Sequence, residues 1–203
     1  MVFEGLRDAV RKLSGMGRFR RLSRLVTVEE AVSVFMVSEG LKPGALVMSV
    51  SDRAVKVLRS LAGSEDLYLE VRSDEFGRGV FLASDPERLD LLDSEGSFYG
   101  SSGESVGRFL GYDEDSVEFY VEAMEEDRVP AQELHEKVEE LLDEGLLEAE
   151  EARFLALVGY VPVPDEEHVL DAVRKGRDRY RRLRDTEVSD LVEIVLDQSM
   201  WNT

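Results

Sequence analysis

LYLEVRSDEFGRGVFLA, residues 67–83, is the stretch that decides the fold. Leu67, Leu69 and Val71 alternate with Tyr68, Glu70 and Arg72, the period of two expected of a half-buried strand. Ser73 to Gly77 carry turn residues and Gly79 to Ala83 return as a second strand, so the pattern predicts a β-hairpin. Ahead of it, Pro43 and Gly44 break the chain before Ala45 to Val50, a short apolar stretch predicted as a third strand. A sheet this small needs helical cover on at least one face.

The flanks supply helices. Thr27 and Glu30 have capping-box spacing, followed by Val28, Ala31, Val32, Phe35 and Met36 on one helical face. Ser51 caps a second helix ending at Gly63, and Pro86 opens a short one ending near Asp93. Residues 26–95 thus form a predicted small α/β unit. Before it, Phe3, Leu6, Val10 and Leu13 predict a basic N-terminal helix within residues 1–25. After Gly96 only helical periodicity remains. Ser101 and Glu104 repeat the capping box, Gly111 interrupts, Pro130 starts a helix that Gly145 ends, Asp165 caps a long helix, and Thr186 opens the last. The expected fold is α+β: a small mixed sheet with helices in the N-terminal half, and a helical C-terminal half, residues 96–203, packed against it.

The chain of 203 residues carries 44 acidic against 25 basic groups, a formal net charge of −19. Hydrophobic residues at 43% can bury a core, so the 34% that are charged describe a surface and not disorder. Such acidity disfavours polyanions in general and suits a salty or hot archaeal cell. No apolar run approaches the roughly 20 residues of a bilayer crossing, and the N-terminus lacks a signal peptide's apolar region; the expected location is cytoplasmic, with no membrane partner. Zero cysteines exclude disulfides, thiolate metal sites, iron–sulfur clusters and cysteine nucleophiles.

Two islands reverse the sign. Arg7, Arg11, Lys12, Arg18, Arg20, Arg21 and Arg24 face only Glu4 and Asp8 within residues 1–25, and seven basic residues fall between Arg174 and Arg184. In the second island Arg174, Arg177, Arg181 and Arg184 recur at intervals of three and four, beside a row of Lys175, Arg179 and Arg182. Forked guanidinium donors suit phosphates, which makes those four arginines the candidate contact for RNA or another phosphate-bearing ligand. The competing expectation is neutralisation by the acidic helices over 113–127 and 133–151.

Catalytic signatures are missing. No glycine pair is followed by the Lys and Ser or Thr of a phosphate-binding loop, Gly77 and Gly79 belong to the hairpin, and no serine sits in a nucleophile elbow. No cofactor motif appears. His135 and Glu139, four apart, read as solvated helix surface. Asp113, Glu114 and Asp115 stand where a helix start favours negative charge, so capping is expected of them. With a divalent metal, Asp113 and Asp115 would instead be the carboxylates of a hydrolase. Trp201 and the last amphipathic helix offer a surface for self-association.

VGRFLGYDEDSVEFYV, from Val106 to Val121, resembles a segment of an archaeal family of unknown function in which Gly-Tyr precedes Pro-Glu-Cys-Cys and a helix. Asp113 stands at the proline, and Asp115 and Ser116 at the cysteines. GYVPVPDEEHVLDAVRKGRDRYRRL, from Gly159, is similar to that family's Pro-Cys-Ser-Pro segment ahead of a long helix, with Pro162 and Pro164 in register. There Val163 and the region of Glu167 and His168 replace cysteines. The resemblance implies a shared architecture in which this member lacks any metal chemistry the cysteines perform. The expected function is that of a non-catalytic binding or interaction protein using its basic helix, with the metal-dependent hydrolase and the self-associating structural protein as alternatives.

Overall fold

In the computed structural model, which describes residues 19–74, 77–93 and 102–199, three strands form one sheet in the order β1-β3-β2. They are Gly44–Val47 (β1), Tyr68–Asp74 (β2) and Gly77–Ala83 (β3). Tyr68 faces Ala83 and Asp74 faces Gly77 across the hairpin, while Gly44 faces Ala83 and Val47 faces Val80 on the other side of β3. Both ladders are antiparallel, so the sheet is not of mixed direction. β1 is shorter than the apolar run because Ser49 turns left-handed at φ 50°, although the Val50 amide still reaches the Arg78 carbonyl at 2.9 Å.

Alternation along the strands sends side chains into two different cores. Ala45, Val47, Val80 and Leu82 join one cluster, whereas Phe81 and Ala83 join another with Val106 and Phe109. The first face is covered by Val28–Ser38 (α1) and Asp52–Ser64 (α2), each started as predicted: Thr27 forms a complete capping box with Glu30, and the Ser51 side chain accepts from the Ala54 amide. The second face is covered by Pro86–Leu89 (α3), shorter than expected, and Gly103–Leu110 (α4). Ser102, not Ser101, supplies the α4 cap, and its own hydroxyl donates to Asp93 at 2.6 Å.

Glu114–Glu125 (α5), Pro130–Asp143 (α6), Ala149–Ala152 (α7), the 3-10 helix Arg153–Leu157, Glu166–Leu183 (α8) and Ser189–Asp197 (α9) complete the described helices. α6 and α8 share a core of their own through Leu134, Val138, Leu141, Val169 and Val173. α9 returns to the first half, where Val192, Val195 and Leu196 are buried with Val32 and Phe35. Most of the apolar face expected as a surface for self-association is therefore buried within the chain, with Ile194 left exposed. Thr186 does not open this helix: its hydroxyl donates back to the Leu183 carbonyl at 2.6 Å, closing α8, and Val188 occupies the N-cap. The expected first helix and Trp201 lie outside the described residues. Among the described residues no helix is long and apolar enough to cross a membrane.

α8 crosses the 3-10 helix at Gly176, where an added Cβ would lie 2.0 Å from the Phe154 carbonyl oxygen. That oxygen belongs to backbone and cannot rotate away. Gly176→Ala is expected to destabilise the protein by roughly 3 kcal/mol or more, the upper end of overpacking costs, as measured by urea unfolding. Wild-type stability in that variant would show that α8 does not pack this closely.

Candidate functional site: an apolar pocket with a buried lysine

A pocket of about 410 Å³ lies beside β1, where helices covering the two sheet faces approach one another. Its walls are mostly apolar, with Val32 and Met36 from α1, Val106 from α4, Val117 from α5, and Val161 from the segment after the 3-10 helix. Exposed Met48 and Tyr120 stand at its rim.

The α4–α5 turn is placed by Gly111, whose φ of 80° is left-handed. A side chain there would also meet Pro43 at 2.3 Å. This turn lays Tyr112 against Tyr160, with ring centroids 4.9 Å apart. The Tyr112 hydroxyl donates to the Gly159 carbonyl at 2.5 Å, and the Tyr160 hydroxyl donates to Asp113 Oδ2 at 2.7 Å. Burial raises the Tyr112 pKa, and burial followed by the Asp113 hydrogen bond pushes Tyr160 up to about 12, so both remain protonated donors at neutral pH. Two tyrosines thereby fasten one wall to the other.

Lys42 is the unusual member. After Gly40 the backbone folds back on α1, with the Leu41 and Lys42 amides both donating to the Met36 carbonyl at 2.7 and 3.2 Å. The side chain is driven inward, leaving the residue 5% exposed, and Nζ donates to Ser33 Oγ at 3.1 Å. Among the described residues no carboxylate lies within 4.0 Å of Nζ. Opposite it, Gly159 packs so closely that an added Cβ would be 3.0 Å away. Burial, reinforced by the Arg179 charge, lowers the lysine pKa to about 8. Arg179 is held by the end of the 3-10 helix, donating to the Leu157 and Val158 carbonyls at 2.9 and 2.7 Å. One cation is therefore fixed by backbone, and the other has only a hydroxyl.

The four arginines singled out by spacing each meet a carboxylate of the chain. Arg174 pairs with Asp171 at 3.2 Å, Arg177 with Glu151 at 2.6 Å, Arg181 with Asp178 at 2.9 Å and Arg184 with Asp185 at 3.5 Å. Asp171 and Asp178 lie on α8 itself, so half of this neutralisation is interleaved within the helix, Asp185 lies just beyond it, and only Glu151 comes from the acidic stretch over 133–151. In the N-terminal island Arg20, Arg21 and Arg24 border a second concavity with Arg53, and Arg20 reaches Asp190 at 3.0 Å.

Asp113 is the α5 cap, accepting from the Ser116 amide at 3.1 Å. Burial acts to raise its pKa, but hydrogen bonds from Ser116 and Tyr160 and the Lys175 charge outweigh it and the net shift is downward. Asp115 lies 3.4 Å from His168 Nε2, while Asp165 holds Nδ1 at 2.8 Å. The segment 106–121 and the segment from Gly159 thus pack together, and Asp115 and His168 meet. His135 lies 3.4 Å from Glu139 on the α6 surface. Among the described residues no group of three or more His, Asp or Glu is arranged to hold a metal ion.

Spacing missed Lys42 and Ser33. The only sign of either is a polar residue inside an apolar neighbourhood, Ser33 between Val32 and Val34 and Lys42 between Leu41 and Pro43. No family model, curated protein or solved structure matches the chain.

The lysine makes stability depend on pH. Its folded pKa of about 8 lies below the ordinary 10.5, so the unfolded chain binds the extra proton between those values and this group's contribution becomes more favourable as pH rises through that window. Below pH 8 the buried ammonium costs on the order of 3 kcal/mol. Lys42→Met should be more stable than the wild type at pH 7 by about 1–3 kcal/mol, since the unpaired Ser33 hydroxyl takes back part of the gain. Urea unfolding from pH 7 to 10.5 should show that advantage shrinking towards zero. An advantage independent of pH would mean the lysine is not titrating in a buried site.

Proposed function

We propose that this chain is a non-catalytic binding protein whose ligand is a small amphipathic molecule, an apolar body carrying one anionic group, held in the pocket beside β1. The observation that carries this reading is Lys42: a nearly buried ammonium, one hydroxyl partner, and no carboxylate within 4.0 Å among the described residues. A buried charge without a counter-ion is expensive, and an incoming acid supplies one. The apolar walls then take the remainder of the ligand. At about 410 Å³ the space falls within the roughly 300–1,000 Å³ of small-molecule sites.

Pairing on α8 supports the same choice. Arg174, Arg181 and Arg184 already share water-exposed carboxylates, and such pairs are weak and exchangeable, so a phosphate gained there displaces a partner the arginine already has. An anion entering beside Lys42 displaces none.

Octanoate and decanoate, compared with the alcohols of equal chain length, discriminate the reading. At about 100 times Kd an acid should add about 2.7 kcal/mol and raise the melting temperature by several degrees. The alcohols should do far less, and Lys42→Met should remove the difference between acid and alcohol while leaving the apolar contribution. Equal shifts from acid and alcohol in the wild type, or none from either, would overturn the proposal.

A further inference from the structure

We infer that Lys42 also acts as a nucleophile, condensing through Nζ with the aldehyde or ketone group of an apolar small molecule, so that the pocket captures carbonyl compounds covalently as imines. The inference rests on the pocket reading above only in needing small molecules to enter. It does not need the preference for acids.

An amine that forms an imine must spend time unprotonated, must present its lone pair to bound ligand, and needs a neighbouring group to carry protons while water is expelled. Each requirement has a structural counterpart. Lys42 borders the pocket directly, and no carboxylate within 4.0 Å among the described residues holds its proton. Arg179 is close enough for its charge to disfavour the ammonium, which is one established way of activating a lysine, and burial acts in the same direction. The Ser33 hydroxyl, 3.1 Å from Nζ, is placed to relay protons.

The groups around Nζ come from several elements. α1 gives Ser33 together with Glu29 and Glu30, which line the same pocket, but the Glu30 carboxylate is engaged by the Thr27 amide at 2.9 Å and the Met48 amide at 2.6 Å. The Gly159 backbone closes the opposite side, Tyr112 and Tyr160 contribute neutral phenols to the pocket, and α8 contributes Arg179. Apolar walls accommodate the carbonyl's substituents and exclude the water that would reverse the condensation.

The step balances without an oxidant or reductant. The Nζ lone pair forms a bond to the carbonyl carbon as the C=O π pair moves to oxygen. That oxygen takes a proton, nitrogen loses one, and Ser33 relays between them. A second proton, taken through Ser33, releases the oxygen as water while the nitrogen lone pair forms the C=N bond, and the resulting protonated imine returns that proton by the same route. Amine and carbonyl become imine and water. The same group thus serves two ligand classes by protonation state, the ammonium pairing with an acid and the free amine condensing with a carbonyl.

The five lysines, Lys12, Lys42, Lys56, Lys137 and Lys175, allow an internal comparison. Full-length protein is incubated at pH 8 with octanal, reduced with cyanoborohydride, and mapped by peptide mass spectrometry. Alkylation at Lys42 should run at least about tenfold faster than at exposed Lys56, should be suppressed by octanoate, and should slow about tenfold in Ser33→Ala, which keeps the lysine. Octanal without reductant should leave no stable adduct. Labelling spread over the other lysines with Lys42 spared, or labelling of Lys42 no faster than of Lys56, overturns the inference, whereas labelling of Lys42 that octanoate does not suppress overturns the preference for acids alone. If octanoate still raises the melting temperature when Lys42 resists octanal, only the nucleophilic role fails. If neither ligand engages the pocket, both readings fail together.

Discussion

Burial of β3 on both faces is the constraint from which the remaining architecture follows. Val80 and Leu82 point to one side and Phe81 to the other, all at 0% exposure, and a strand of three cannot hide its centre without a layer on each face. α1, α2 and the returning α9 provide the first layer, and α3 with α4 provides the second. β1 is an edge strand between them. Glu30 reaches from α1 to cap the Met48 amide just beyond β1, and Gly44 lets Phe109 approach so closely that an added Cβ would sit 2.6 Å from its carbonyl oxygen. Beside that edge the two layers diverge enough to leave a space, which the 156–161 segment bounds. The pocket is thus a consequence of covering a small sheet from both sides, and its apolar lining consists of the residues that cover it.

Such a lining sets the electrostatics of whatever polar group enters it. An ammonium at the protein surface keeps its proton at any physiological pH, but at Lys42 the loss of hydration and the Arg179 charge bring its pKa to about 8. Nearby, hydrogen bonds act the other way on groups that retain partners: Asp165 and Asp115 raise the His168 pKa despite the opposing effect of burial, and Asp171 raises that of Lys175 against burial, which comes first in size for the lysine. The contrast between Lys42 and Lys175 is one of partners. Lys175 reaches Asp171 at 2.9 Å and Asp113 at 3.5 Å, whereas Lys42 reaches one hydroxyl. Evolution of a buried lysine for stability alone would have given it a carboxylate or replaced it by an apolar residue of similar volume.

Much of the fold was legible because its signals are local. The Thr27 capping box, the Ser51 and Asp165 caps, Pro130 and the period of two in 67–71 all act within a few residues, and each sits where the pattern placed it. Thr186 was misread because a hydroxyl near a helix end serves the preceding carbonyl as well as it serves a following amide. The site was hardly legible. Lys42 and Ser33 are nine residues apart and Arg179 is more than a hundred residues further on, so no periodicity links them; they meet because α1 reverses at Gly40 and α8 passes behind the 3-10 helix. Charge density singles out α8 instead, but the spacing of its arginines carries no information about Asp171 and Asp178 interleaved on the same helix.

The overall charge of −19 opposes an anionic ligand at a distance, and range resolves the conflict with the local site. At physiological ionic strength exposed charges are screened over about 8 Å, so the acids scattered on the outer helices contribute little inside a cleft with low-dielectric walls. The charge that acts on the Lys42 ammonium is another cation, Arg179, and both are shielded from salt by the walls that desolvate them. An anion bound there feels a local positive site within a molecule that repels it at a distance. On the proposed reading the same acidity would disfavour large polyanions, whose many charges sample the whole surface, more than a compound that carries one charge and buries it. Selectivity for small over polymeric anions would then require no dedicated gate; it would follow from a negative exterior and a nearly buried cation.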